Sequence, residues 1–428
     1  MKVEGELPLL SRAKLPEGWK VIPLRYAVEF RSDQLSSSTA PSYQFRYVDI
    51  GSVSHEEGIS NYTEMTYSES PSRARKLVSA GDTIISTVRT YLRSIATIYD
   101  DRDVIVSTGF SVLRPRLFKP DYLGYLAKSD IVCSEIERRS WGVAYPAVSE
   151  NHIGLIYVPL PPLDEQAKIS AHLNSVTSNI GRAIDLLQQE LGTLEQLKKS
   201  LIYEVITKGL DHTVPMKPSG VEWIGDMPER WRTTRIKYIA PAWNGLTYDP
   251  ADVSDTGTPV LRSGNIQNGE LDLQNLVRVV GSIPEKSLAR SGDILICSRN
   301  GSRNLIGKNA LIHQDGYAFG AFMMIARPTV NSQYFYYLLN SGIFDFYLPT
   351  YLTSTVNQLT GANFGNMIVP ITDDPDEQLA IVEELNTKCK ALDVAMEKKC
   401  AQLSLLRKKR DSVIFEYVTG KRRVSEVA

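Results

Sequence analysis

The amino-acid sequence of this chain is written twice. The first copy opens Leu15-Pro16-Glu17-Gly18-Trp19 and the second Met227-Pro228-Glu229-Arg230-Trp231. The offset between the two tryptophans recurs, to within a residue or two, along the rest of the chain. Gly81-Asp82 returns as Gly292-Asp293, Arg114-Pro115 as Arg327-Pro328, and Tyr122 and Tyr125 as Tyr334 and Tyr337. Asp164-Glu165-Gln166 returns as Asp376-Glu377-Gln378, and Ile202, Glu204 and Thr207 as Ile414, Glu416 and Thr419. One offset held over so many separated segments means duplication, which no single short motif could establish. The 428 residues exceed one ordinary domain, and the repeat divides them. A globular part of about 145 residues is followed by a long helix, and both then recur. The expected boundaries are an N-terminal extension at 1–14, globular domains at 15–160 and 214–372, and helices at 161–213 and 373–428.

Each globular part is rich in β-branched and aromatic residues punctuated by Gly, Pro, Asn and Ser. Segments 83–88, 104–112 and 294–298 read as short strands, and 122–139 and 332–347 as helices, so the class is α+β. The helical parts carry an apolar stripe at three- and four-residue steps, close to heptad period. In the first copy it runs Ile169, Leu173, Val176, Ile180, Ile184, Leu187, Leu191, Leu194 and Leu201; in the second, Ile381, Leu385, Leu392, Met396, Leu403, Leu406 and Val413. Each helix spans about 45 residues, roughly 65 Å at 1.5 Å per residue. A helix with one apolar stripe needs a partner, at roughly 1.5–3 kcal/mol per buried Leu or Ile. The two stripes are expected to pair as an antiparallel coiled coil, with a globular part at either end. The alternative is that each helix packs on its own domain. Asp374, Pro375 and Glu377 read as N-cap, first helical residue and capping-box partner. Gly209 and Gly420 fall at the two helix ends.

Composition bounds the function. The apolar fraction of 43% and charged fraction of 23% are those of a soluble globular protein. A formal net charge of −1 advertises no polyanion partner, although a local basic face can sit on a neutral chain. The four cysteines form no CxxC pair and stand at no metal spacing with the five histidines. Reduced thiols, no apolar leader in 1–14 and no run of 18 apolar residues lead to the expectation of a cytoplasmic protein. No GxGxxG follows a strand, and no nucleophile elbow is present. The nearest approach to a P-loop, 301–309, has the wrong glycine spacing and Asn309 where Ser or Thr should bind magnesium. Neither a cofactor nor a metal site is therefore expected.

What the chain does carry is the chemistry of a DNA reader. Arg grips guanine O6 and N7 with two bonds, Asn does the same for adenine, and Ser and Thr suit phosphates or bases. After Gly81-Asp82 the first copy offers Ser86, Thr87, Arg89, Tyr91 and Arg93. At the matching position the second offers Arg299, Asn300, Ser302, Arg303 and Asn304. Two loops at one structural position that differ in residues are what two readers of different sequences would show. A solvated hairpin tip is the alternative for each. Further candidates are Arg73 and Arg75 with Lys76, Tyr145, Asn244, Arg262 and Asn265, although a run such as 72–76 is usually a solvated face. The aromatic run Tyr334-Phe335-Tyr336-Tyr337 could stack bases, but its place in a helical segment favours core packing.

The Leu-Pro-x-x-Trp opening, the Gly-Asp strand, Arg-Pro, and Pro159 to Gln166 running into a heptad helix, all repeated, resemble the specificity subunit of Type I restriction–modification systems. The second copy departs at 370–378, where Glu377-Gln378 persists without the proline pattern. The resemblance implies two target-recognition domains, each reading half of a split, asymmetric DNA site, in a complex of host defence. It implies helices that set the half-site gap and dock two methyltransferase subunits, with restriction subunits able to join. S-adenosylmethionine, ATP and magnesium would belong to those partners, and this chain would not be an enzyme. Competing readings are a specificity subunit whose partner fuses methylation and cleavage, a protein-binding scaffold, and an unrecognised enzyme.

Overall fold

The computed structural model describes residues 15–352 and 357–424; the proposed extension 1–14 lies outside them. The chain forms two compact units that cut across its linear order. One runs to Gln188 and takes in the chain from Ala401 onward; the other is Gln189–Cys400. Each long helix, Leu163–Lys208 and Pro375–Val418, is shared between them.

The first unit holds two four-stranded sheets. One is antiparallel throughout, in the order Val28–Arg31, Phe110–Pro115, Thr83–Ser86, Ile95–Thr97. The other runs Thr63–Thr66, Gln44–Val48, Val104–Ser107, Ala74–Leu77, with its central pair parallel. The second unit repeats this: Ala242–Asn244, Met323–Ala326, Ile294–Cys297 and Asn309–Leu311 form the antiparallel sheet. Its other sheet again pairs two strands in parallel, Thr258–Leu261 with Ala318–Phe319. The edges differ, since Ala74–Leu77 flanks the parallel pair in the first unit whereas Val253–Ser254 is added at the far edge in the second. The segment 104–112, expected as one strand, turns at 108–109 into two.

The repeated motifs are structural ties. Asp82 and Asp293, each 1% exposed, follow glycines at φ +91°. Each carboxylate accepts a backbone N–H from its own turn, from Ser79 and Arg290, at 2.8 Å, and pairs with the arginine of the Arg-Pro motif. A Cβ at Gly292 would stand 2.9 Å from Ser332 Oγ, so both conformation and space require glycine. The opening tryptophans donate from Nε1 to the helix-start glutamates, Trp19 to Glu165 at 2.8 Å and Trp231 to Glu377 at 3.0 Å. The glutamines that follow bridge backbone groups: Gln166 joins Lys119 N and Pro161 O, and Gln378 joins Asn331 N and Thr372 O. Asp374 caps its helix by accepting from Asp376 N at 3.0 Å. Glu377 does not close a capping box, because Trp231 and Arg230 claim its carboxylate.

The helix expected over 122–139 is two, Pro120–Lys128 and Asp130–Arg139, broken where Ser129 is extended. That over 332–347 is likewise two, Ser332–Leu339 and Ile343–Tyr351, parted at left-handed Gly342. Tyr334, Phe335 and Tyr337 are buried in the core, so the aromatic run is not a stacking platform.

The long helices run antiparallel within each unit. In the first, the His172 ring lies 4.5 Å from that of Tyr417, and Arg423 pairs with Glu165 at 3.0 Å. In the second, Lys198 meets Asp393 at 2.6 Å and Lys399 meets Glu190 at 2.5 Å. The stripe is graded. Leu173, Ile180, Leu385 and Leu403 are buried, whereas Val176, Leu187, Leu191, Leu194, Leu392, Met396 and Leu406 are half-buried. Helix ends also enter the domain cores: Ile169 and Leu173 join Ile414 and Tyr417 in one, and Ile202 and Ile206 join Ile381 and Leu385 in the other. The expected antiparallel pairing is realised; the alternative, each helix packed on its own domain, holds only for the helix starts, since Ile202 and Ile206 enter the second domain's core and Ile414 and Tyr417 the first's.

Candidate nucleic-acid interface

In the first domain the strand Thr83–Ser86 delivers a loop at which Arg89 and Arg93 take left-handed backbone conformations, φ 50° and 49°, around the turn Thr90–Leu92. These are costly for non-glycine residues. Arg89 is exposed, its guanidinium 5.4 Å from the centre of the Tyr145 ring. Tyr145 comes from a second loop pinned to the first by a bridge between Val88 and Ala147 and by Val148 N donating to Thr87 O at 2.9 Å. Tyr91 is exposed on the same loop. Thr87 is half-buried, its hydroxyl donating to Gly109 O at 2.9 Å. Exposed Arg73 accepts at its carbonyl from the neighbouring Thr108 N. Thr87, Arg89, Tyr91 and Tyr145 are thus brought together, with Arg73 at the adjoining turn.

Four candidates of the first domain are engaged inward. Ser86 is buried and donates to Val88 O. Arg93 is held between Glu137 at 2.7 Å and Asp130 at 2.8 Å, and its hydrogen bond to Glu137 raises its pKa further. Arg75 spends its guanidinium on Ser70 Oγ and the carbonyls of Pro71 and Ala74, over the Tyr67 ring. Lys76 is buried between Phe110 O and Glu150. These side chains are engaged within the domain and shape its surface.

The second domain repeats the device with other residues. Arg299 is exposed, 5.0 Å from the centre of the Phe322 ring, and bridges Gln358 of the return loop. Phe322 is itself 58% exposed and lines a cleft of about 650 Å³ with Arg262, Tyr248 and Asp272. Asn300 Nδ2 donates to Ser263 Oγ at 3.3 Å, tying the loop to the cleft wall. Ser302, Arg303 and Asn304 follow, all exposed. Asn244 lies at the base with its amide committed to Ser298 Oγ and the carbonyls of Ala321 and Met323. Asn265 is buried, a turn-forming residue that accepts from Arg262 N and donates to Asp272 O. Burial raises the pKa of the Cys297 thiol beneath this loop.

The sequence reading missed Phe322, Gln358 and the exposed Trp141 and Val143 beside Tyr145. The signal for the last two was present: Trp-Gly-Val-Ala-Tyr-Pro puts large apolar residues between turn-formers. Among the described residues no group of His, Cys, Asp and Glu could hold a metal ion, and no helix is long and apolar enough to cross a membrane.

Fold and loops together define a duplicated protein with one arginine loop per domain at a like position and a long helix after each. The family described as the Type I restriction modification DNA specificity domain matches residues 16–196. The MjaVIII Type I restriction enzyme specificity subunit of Methanocaldococcus jannaschii is 24% identical over 311 residues, 69% of this chain and 68% of that one. The EcoKI specificity subunit of Escherichia coli is 26% identical over 206 residues, 46% of this chain and 44% of the relative, less than half its length. A solved chain from work on complex assembly and conformational transition of the type I R-M system shares the fold. Its TM-score is 0.71 at 24% identity, covering 96% of this chain and 100% of that one. The chain is thus similar to Type I restriction enzyme specificity subunits, with the specificity-domain match confined to its first half.

Proposed function

We propose that this chain is the non-catalytic DNA-reading subunit of a Type I restriction–modification complex. The domain at 15–160 reads one half of a bipartite asymmetric site, and the domain at 214–372 reads the other. The observation that carries this is the like placement of two exposed arginines, Arg89 on Tyr145 and Arg299 on Phe322, in loops that otherwise differ. Each exposed guanidinium lies over an aromatic ring, a placement that would leave its edge to a bidentate grip on guanine. The paired helices set the half-site spacing and dock two methyltransferase subunits, with restriction subunits joining that assembly in the cytoplasm. S-adenosylmethionine, ATP and magnesium belong to those partners. Near-neutral net charge fits a reader whose partners supply much of the phosphate contact.

Exchange of the loop residues tests this. Grafting 299–304 onto the first domain should change one half of the methylated site and leave co-purification with methyltransferase unchanged. An unchanged methylation motif with intact assembly would sink the assignment and favour a protein-binding scaffold.

A further inference from the structure

The first domain ends its return loop in an apolar tip that no described part of the chain covers. Residues 140–147 read Ser-Trp-Gly-Val-Ala-Tyr-Pro-Ala. Trp141 and Ala147 exchange both backbone hydrogen bonds at 3.0 Å, closing the tip into a tight loop. Gly142 makes the bend at φ +104°, where a Cβ would stand 3.0 Å from Tyr145 O. The tip is fastened to the arginine loop by the Val88–Ala147 bridge and by the hydroxyls of Thr90 and Ser140, 2.8 Å apart. At its end Val143 is fully exposed, Trp141 is 72% exposed and Tyr145 69%. Apolar side chains held rigidly in water carry an unfavourable hydration cost that a partner would relieve.

Chemistry selects the partner. Residues 140–147 contain no charged side chain, and the tip is continuous with Arg89, the group assigned to guanine. A valine cannot read hydrogen-bonding edges, and the apolar mark on a base edge in the major groove is the C5-methyl of thymine. In the second domain the exposed ring Phe322 lies under Arg299 as Tyr145 lies under Arg89, and the side chains beside it, Asn300, Ser302, Arg303 and Asn304, read by hydrogen bonds where the first domain presents Trp141 and Val143. We propose that the tip, through Val143 and Trp141, detects thymine methyl groups beside the base held by Arg89, so that methyl dependence belongs to the first domain's half-site. This rests on the DNA-reading function proposed above.

The test uses the full chain assembled with its methyltransferase and duplexes of the mapped site. Arg89→Ala assigns the half-site of the first domain. Thymines there are then replaced by deoxyuridine, which removes only the methyl. Burying one methyl is worth about 0.8 kcal/mol, so binding should weaken roughly fourfold per contacted thymine. Replacements in the other half-site should have little effect. Val143→Ser, at an exposed position that the fold does not need, should narrow the difference between thymine and uracil duplexes. Three results would overturn the proposal: a first half-site without an A·T pair, equal wild-type affinity for thymine and uracil duplexes, or Val143→Ser releasing the methyltransferase. The last would assign the tip to a protein partner. Failure of the underlying reading is distinct, showing beforehand as no methylation that depends on this chain, and it would remove this proposal with it.

Discussion

The Asp–Arg tie under each arginine loop allows one perturbation to be worked through in two settings. Asp293 is 1% exposed and receives Arg327 Nε and Nη2, both at 2.7 Å. Asp82 is equally buried, but Arg114 reaches it at 3.1 and 3.5 Å, and a second cation, Arg31, stands 3.6 Å away. Removing one partner of a buried pair costs about 3–5 kcal/mol because the other charge stays buried. Both arginines are about one-third exposed at their side chains, which places the cost at the low end. Arg327→Ala should therefore cost about 3 kcal/mol, leaving the carboxylate with little beyond the Arg290 N–H. Arg114→Ala should cost about half as much, since its geometry is looser and Arg31 remains. Hydrogen exchange on the intact chain reads the two sites separately, through Ile294–Cys297 and Thr83–Ser86. At about 1.4 kcal/mol per tenfold, protection should fall about a hundredfold in the first and about tenfold in the second. Arg327→Lys, which keeps the charge and loses the fork, should fall between wild type and Arg327→Ala. Equal losses in the two strands, or a larger loss for Arg114→Ala, would refute the reasoning from geometry.

Other outcomes follow from the same structure. Arg299→Ala should relax methylation specificity at one base pair of the second half-site, a loss of about 1–3 kcal/mol, with the first half-site unchanged in methylation mapping. Trp231→Phe keeps the ring but removes the N–H that serves Glu377; urea denaturation should show a loss of about 1–2 kcal/mol. Burial, followed by the nearby Arg410, lowers the Lys128 pKa to about 8. A folded pKa below the unfolded value means that the unfolded chain holds the extra proton between about 8 and 10.4. The buried charge is then a penalty in full below pH 8, relieved as pH rises through that window. Lys128→Met should accordingly stabilise most at pH 7, with the gain shrinking toward pH 10 in denaturation series.

Repetition made much of this legible. Motifs that recur at one offset proved to be recurring ties: Trp19 and Trp231 to glutamates, Asp82 and Asp293 to arginines, Gln166 and Gln378 to backbone. The heptad stripes gave the long helices because a 3.5-residue period is local. What was not legible depends on neighbours distant in sequence. Ser86 and Asn265 have the chemistry of readers, but strand end and turn bury them. Arg93 looks like Arg89 in the sequence, yet Glu137 and Asp130 of a following helix capture it. Arg89 and Arg299 differ from it only in meeting an aromatic ring instead of carboxylates. Helix breaks at Ser129 and Gly342 were hidden because the apolar period continues across them.

Whether this chain supplies sequence specificity to a methyltransferase is read out by mapping methylated bases with long-read sequencing. Cells would carry the neighbouring methyltransferase with and without this chain. The expected result is a split, asymmetric motif that appears only when the chain is present. An active methyltransferase whose methylation pattern is the same in both would contradict the account.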